Sequence, residues 1–203
     1  IYNGVNSKKV GLCDTRKIVS AAQTVKFLNV ARFVEQKDHE TLIRAFAKLR
    51  SHGIEATLSL VGDGPLRGRI QDLVSELGLV HSVKFLRLMD RNSVYASLRS
   101  ADAFVISSRS EGFCNAMVEA AMAGVPIIAS DIASLKEVLG AENGLFFEVG
   151  NSERLSLAMI DRVEHAAEAM DRARKARAWA LDRYPLELSA ARHAEIYRYF
   201  LTE

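Results

Sequence analysis

Short apolar runs alternate with longer amphipathic stretches across residues 25–149, and this alternation constrains the fold more than any other feature of the chain. "VKFLNVA", "ATLSLVG", "VKFL", "AFVIS", "PIIAS" and "GLFFEV" each read as a buried strand. Helical patterns lie between them. In "DHETLIRAFAKLRSHG", Leu42, Ile43, Phe46 and Leu49 recur at helical spacing, and Gly53 stands just past the end. "PLRGRIQDLVSELG" reads as a helix with Pro65 at its first position and Gly78 at its stop. Further helices are expected over residues 91–100 and 115–123 and in "SLKEVLG". Residues 152–183 predict one long, charged, alanine-rich helix, residues 186–201 a last one, and residues 1–20 a lead-in loop. Strands and helices alternating in this order mean β–α–β crossovers. The expected fold is α/β: a Rossmann-like, doubly wound, mostly parallel sheet of about six strands flanked by helices, with C-terminal helices beyond it.

In such sheets the ligand crevice lies beyond the carboxyl ends of the strands. The segments there are "RFVEQK", "GDGP", "RLMD", "SSRSEGFCN" and "DIAS", so polar and glycine-rich chemistry gathers at one end of the sheet. Arg32 directly follows the first strand, and Lys37 comes just before a helix that starts near residue 38 or 39. Two cations at a helix N-terminus suit a ligand with several negative oxygens, because each hydrogen bond to a charged group contributes about 1.5–3 kcal/mol. The same two cations could instead be solvated, or pair with Glu35 and Asp38. Glu111 and Gly112 lie between "AFVIS" and a helix beginning near residue 114 or 115. Gly112 lets a ligand come close to the backbone, and the amides of Phe113, Cys114 and Asn115 are free at the helix start, which makes an anion site. Glu119 sits one turn further on among Met117, Val118, Ala120, Ala121 and Met122. A carboxylate buried there needs hydrogen-bond donors, and ribose hydroxyls would serve.

"LVGDGPLRGRI" invites a dinucleotide-binding reading through Gly62 and Gly64. The turn follows the second strand rather than the first, Asp63 would repel a pyrophosphate, and Arg87 stands where an acid is wanted. A tight turn that needs glycine conformations is the better reading. The chain carries a net charge of +2, so no broad basic field points to nucleic acid and any anion site is local. Cys13 and Cys114 are far apart and read as reduced thiols of a cytoplasmic protein. No apolar run approaches the roughly 18 residues of a membrane span. The five histidines show no metal-ligand spacing. Ser107, Ser108 and Ser110 lack the context of a nucleophile elbow.

Taken together, "IYNGVN", "VARFVEQKDHETLIRAFAKL", "LVGDGPL", "ADAFVISSRSEGFCNAMVEAAMAGVPIIAS" and "GLFFEVGN" resemble the C-terminal, donor-binding domain of family 4 glycosyltransferases, retaining enzymes of the GT-B fold. The E-x7-E spacing of Glu111 and Glu119, followed by "AGVP", is the most specific element. The resemblance implies that Arg32 and Lys37 hold the diphosphate of a nucleotide-sugar donor, without a metal or other cofactor. By the same resemblance Glu111 contacts the transferred sugar, Glu119 the ribose, and the loop Arg87, Leu88 and Met89 the base. The commoner pattern has glycine near Arg87, so the base stays open, with a UDP-sugar favoured. The expected division is a lead-in over residues 1–24, a nucleotide-sugar domain over 25–183, and a helix over 184–203 that packs on an N-terminal acceptor domain missing from these residues. The acceptor would be a glycan or lipid-linked molecule of a surface polysaccharide, lipopolysaccharide or glycolipid, met at the inner face of the cytoplasmic membrane. The fragment alone would be inactive. A non-catalytic nucleotide-sugar-binding module and half of a sugar-nucleotide epimerase remain alternatives.

Overall fold

Successive residues of each strand feed two different cores, which is what a sheet covered on both faces requires. Phe27, Val105 and Ile128 enter one cluster, while their neighbours Leu28, Phe104 and Ile127 enter the other. The computed structural model describes residues 2–11 and 24–201. Its strands are β1 (Val25–Val30), β2 (Ala56–Val61), β3 (Val83–Leu86), β4 (Ala103–Ile106), β5 (Ile127–Ser130) and β6 (Leu145–Phe147). They form one sheet in the order β3-β2-β1-β4-β5-β6, with every neighbouring pair parallel. This is the six-stranded, doubly wound arrangement expected from the sequence.

The helices divide between the faces. The segments α2 (His39–Ser51), α3 (Arg67–Glu76) and α7 (Ser152–Glu164) cover one core. The other is covered by α4 (Arg91–Ser100), α5 (Asn115–Ala123), α6 (Ala133–Leu139) and α8 (Ala166–Arg183). The stretch expected as one helix over 152–183 is therefore two. The chain breaks at His165 (φ −113°, ψ 53°), because α7 packs on α2 while α8 packs on α5, across the sheet. A straight helix cannot lie on both faces. The third helix also starts two residues later than expected. The Leu66 amide donates to the Phe33 carbonyl at 3.0 Å and holds Pro65 and Leu66 in a turn.

The lead-in is a packed element rather than a loop where it is described. A short helix, α1 (Ser7–Val10), ends on a fully buried Val10. The Val5 amide donates to Tyr184 O at 2.8 Å, and Val5 O accepts from the Leu186 amide at 3.0 Å, so this segment is tied to the start of α9 (Leu186–Leu201). Residues 12–20 of the expected loop, Cys13 included, lie outside the described residues.

Between β1 and β4 the strand order reverses, and there the sheet opens. The β1–β2 ladder runs on to Val30 and Val61, whereas the β1–β4 ladder stops at Leu28 and Phe104. The buried Asn29 side chain spans the widening gap, donating from Nδ2 to Val105 O at 2.8 Å. On the other side of β1, backbone packs on backbone. Gly62 has φ 146°, and a Cβ there would stand 2.0 Å from Ala31 O. Gly112 differs: a Cβ there meets nothing within 4 Å. Gly62→Ala is therefore expected to cost about 3 kcal/mol or more, and Gly112→Ala to stay within about 0.5 kcal/mol of the parent, by denaturant unfolding. Equal effects at the two positions would contradict this account.

Candidate active site at the strand-order reversal

The loops after β1 and β4 meet over the open end of the sheet. After β1 the chain makes a single 3-10 turn (Glu35–Lys37), then passes through Asp38 in the left-handed region (φ 44°) to start α2. Asp38 is the one non-glycine residue with positive φ among those described. Its carboxylate accepts from the Thr41 amide and hydroxyl, capping α2, and also from Arg109 of the opposite loop at 2.9 Å. The Arg109 amide donates to Gln36 O at 2.8 Å, and Gln36 Nε2 donates to Ser110 O at 2.7 Å. Ser107 Oγ donates to Lys37 O at 2.9 Å. The two loops are thereby laced together across the crevice.

Lys37 and Glu111 stand at the centre of this lacing. Lys37 Nζ is 2.5 Å from Glu111 Oε1, and the Ser108 hydroxyl donates to the same oxygen at 2.7 Å. The Glu111 side chain is only 6% exposed, so the pair is largely desolvated. Lys37 thus has a partner, but it is Glu111 rather than Glu35 or Asp38. Arg32 lies at the carboxyl end of β1, exposed, with no side-chain partner among the described residues. Its backbone neighbours are held by the β2 loop, with the Ala31 amide on Val61 O and the Phe33 amide on Asp63 O, both at 3.0 Å.

The helix α5 starts immediately beyond. No side chain caps it, and the amides of Phe113, Cys114 and Asn115 make no hydrogen bond among the described residues. Only their backbones are offered to a ligand in two of these cases. The Phe113 ring is engaged, stacked on Tyr2 (centroids 5.6 Å apart) and edge-on to Tyr184 (5.4 Å). Burial, and secondarily the nearby Glu111 charge, push the Cys114 thiol up to about 12, so it is an inert thiol. The expectation at Phe113, Cys114 and Asn115 concerned their backbone amides, and those amides are the groups left without a partner here.

Glu119 is not in contact with Lys37 or Glu111. It is 7% exposed, and its Oε1 takes the Tyr95 hydroxyl at 3.4 Å and faces Arg91 Nε at 3.7 Å. Burial raises its carboxyl, against the pull of Arg91 and Tyr95. The loop after β3 leaves Arg87 and Leu88 exposed, while Met89 packs on the core beneath. A hollow of about 50 Å³ adjoins the laced loops, but Val34, Asp38, His39, Leu66 and Arg109 line it, and the side chains of Arg32, Lys37, Glu111 and Glu119 do not. Sequence reasoning weighed Ser108 only as a nucleophile and passed over Arg109, Arg91 and Tyr95. The i, i+4 spacing of Arg91 and Tyr95 was visible, but nothing in it said that α4 lies against α5.

Comparison with known proteins bears on this site. Residues 14–179 match the family model of glycosyl transferases group 1. The chain belongs to the group 1 glycosyltransferases. It is 37% identical over 149 residues to EpsF of Bacillus subtilis, whose name assigns it provisionally to the glycosyltransferases; the match covers 73% of this chain and 38% of that protein. It is 29% identical over 175 residues to the GDP-mannose-dependent alpha-(1-6)-phosphatidylinositol monomannoside mannosyltransferase of Mycolicibacterium smegmatis, covering 82% and 46%. Among solved structures it superposes on sucrose-phosphate synthase of Thermosynechococcus elongatus with a TM-score of 0.88 and 26% identity, covering 100% of this chain and 52% of that one. Anabaena HepE, solved in complex with UDP and glucose, gives 0.86 at 23% identity, covering 98% and 56%, a likeness of fold. The chain spans about half the length, or less, of these relatives. Among the described residues no helix is long and apolar enough to cross a membrane, and no group of three or more His, Cys, Asp or Glu is arranged to hold a metal ion.

One buried group beside the crevice titrates in a measurable range. His39 stacks on Phe33 (centroids 4.3 Å, 12° between planes), and both its ring nitrogens are buried without a partner among the described residues. Burial, reinforced by Lys37, lowers its pKa to about 4. The unfolded chain therefore binds the extra proton first as pH falls, and the stability of the neutral ring is lost on acidification. Unfolding free energy should drop by about 2 kcal/mol from about pH 7.5 to about pH 5 through this residue alone. Denaturant titrations of parent and His39→Phe at both pH values test this, and the drop should be absent in the variant.

Proposed function

We propose that this chain is the donor-binding half of a retaining GT-B glycosyltransferase of family 4, acting on a nucleotide-diphosphate sugar. The observation that carries the proposal is the Lys37–Glu111–Ser108 cluster laced over the β1–β4 reversal, next to uncapped α5 amides and to Arg32, whose side chain has no partner among the described residues. Cations and free amides belong with a diphosphate, and a carboxylate with donors of its own belongs with sugar hydroxyls.

Over the whole reaction the bond between the sugar's anomeric carbon and the β-phosphate oxygen breaks, with its electrons staying on the diphosphate. An acceptor hydroxyl oxygen bonds to that carbon with retention, and its proton passes to the departing diphosphate. Arg32, Lys37 and the amides after Gly112 stabilise that growing charge where it develops, the work a divalent metal does elsewhere. Glu111 accepts hydrogen bonds from hydroxyls of the transferred hexosyl or N-acetylhexosaminyl group. Glu119 accepts them from the ribose, and Arg87, Leu88 and Met89 line the base. Uridine is the first base to test, since HepE binds UDP, while the mannosyltransferase of Mycolicibacterium smegmatis takes a GDP-sugar. Acceptor binding falls to the other half of the full protein. In this division residues 184–203, whose Ile196, Tyr197 and Phe200 are exposed, pack on that half, and the acceptor is a glycan or lipid carrier at the cytoplasmic membrane face.

Calorimetric titration of the chain with UDP, GDP and ADP should show one of them binding, with affinity unchanged by a chelator. Arg32→Ala, which removes no side-chain hydrogen bond or ion pair among the described residues, should weaken it about tenfold or more. Loss of binding on chelation would refute the metal-free reading. No binding of any of the three would refute the donor site.

A further inference from the structure

We propose that Arg91 and Tyr95 are positioning residues for Glu119: together they hold one oxygen of its carboxylate so that the other faces the ribose of the bound nucleotide. The inference rests on the donor-binding reading above.

Arg91 opens α4, directly after the loop assigned to the base. Asp90 pins that turn, accepting from the Asn92 amide at 2.9 Å, the Ser93 amide at 3.1 Å and the Ser93 hydroxyl at 2.5 Å. Arg91 and Tyr95 stand one turn apart and so share a helix face. That face meets α5 at Glu119. The Tyr95 hydroxyl, on a residue 1% exposed, reaches Oε1 at 3.4 Å, and Arg91 Nε lies 3.7 Å from the same atom. Glu119 Oε2 makes no hydrogen bond among the described residues.

This bracket is a poor device for stability alone. Both contacts are long, Arg91 is mostly in solvent, and a loosely paired buried carboxylate costs free energy that an apolar residue would not. It makes sense as a half-filled coordination, with Oε1 anchored and Oε2 left to accept hydroxyl protons. Accepting two hydroxyls requires the ionised form. Burial works against ionisation, and Arg91, then Tyr95, work for it. The other charges around α5 lie elsewhere: Lys37 and Glu111 beside its start, and Arg177 of α8 donating to Met122 O near its far end.

The test is the affinity for UDP and GDP as a function of pH, in the chain and in Arg91→Gln, Tyr95→Phe and Glu119→Gln, with melting temperature followed in parallel. Glu119→Gln reports the nucleotide's own phosphate titration and serves as the reference. Beyond that reference, parent affinity should fall on acidification as Glu119 takes up its proton. In Arg91→Gln and Tyr95→Phe this fall should move to higher pH, and affinity at neutral pH should weaken about three- to tenfold with the melting temperature nearly unchanged. A merely structural pair would shift melting and leave the pH profile in place, which would overturn the inference while the donor site stands. Identical profiles in the parent and Glu119→Gln would likewise overturn it, since Glu119 would then not meet the nucleotide. Absence of nucleotide binding in the parent would remove the donor reading and this inference together.

Discussion

The parting of β1 from β4 is the constraint on which the candidate site depends. A doubly wound sheet must reverse its strand order somewhere, and the two strands on either side of the reversal send their following loops to opposite faces. Here the ladder between them ends two residues earlier than the ladder between β1 and β2. The Asn29 amide bridges the gap below, and the hydrogen bonds of Gln36, Ser107 and Arg109 close it above. Lys37 and Glu111 face each other because the topology parts their strands and the lacing draws their loops back together.

The ion pair this produces is not explained by stability. Taking two charges out of water costs as much as their attraction returns, and removing one partner from a buried pair typically costs about 3–5 kcal/mol because the other is stranded. A pair of apolar side chains would hold the loops as well. What the pair supplies is a cation and a carboxylate at fixed separation, each with hydrogen-bonding capacity left over. The glycines follow the same division. Gly62 is required by the fold, since its missing side chain lets β2 approach β1, while Gly112 has open space before it and answers to no packing demand.

Much of this was legible in the sequence. The strands, their order along the chain and the helices over 91–100, 115–123 and 186–201 follow from hydrophobic periodicity and glycine stops, because each segment's local pattern agrees with its place in the sheet. Glu119 was legible as a buried carboxylate because every neighbour on its helix is apolar. Periodicity could not show the break at His165. Both halves are good helix, and only the need to change faces of the sheet interrupts them. Nor could it show which side chains close on one another across loops. Arg109 read as one more charge in a polar stretch until the β1 and β4 loops were seen to meet. Phe113 was read only for its backbone amide at the helix start; that its ring packs on Tyr2 and Tyr184 had no signature in the local sequence.

That ring contact bears on how the proposed anion site is held. Free amides bind a diphosphate well only when they are fixed in advance, since ordering them at the moment of binding would consume the gain. No side chain caps the start of α5, so something else must hold it. The ring of Phe113 does so, gripped between Tyr2 and Tyr184. Tyr2 also donates to Glu137 of α6, and Val5 ties the same segment to the end of α8 through Tyr184 O. The aromatic cluster thus connects residues 2–5, the junction of α8 and α9 and the amides at the start of α5. A displacement of either segment would reach the proposed phosphate site through Phe113, so these segments bear on that site as much as the loops that carry its charges.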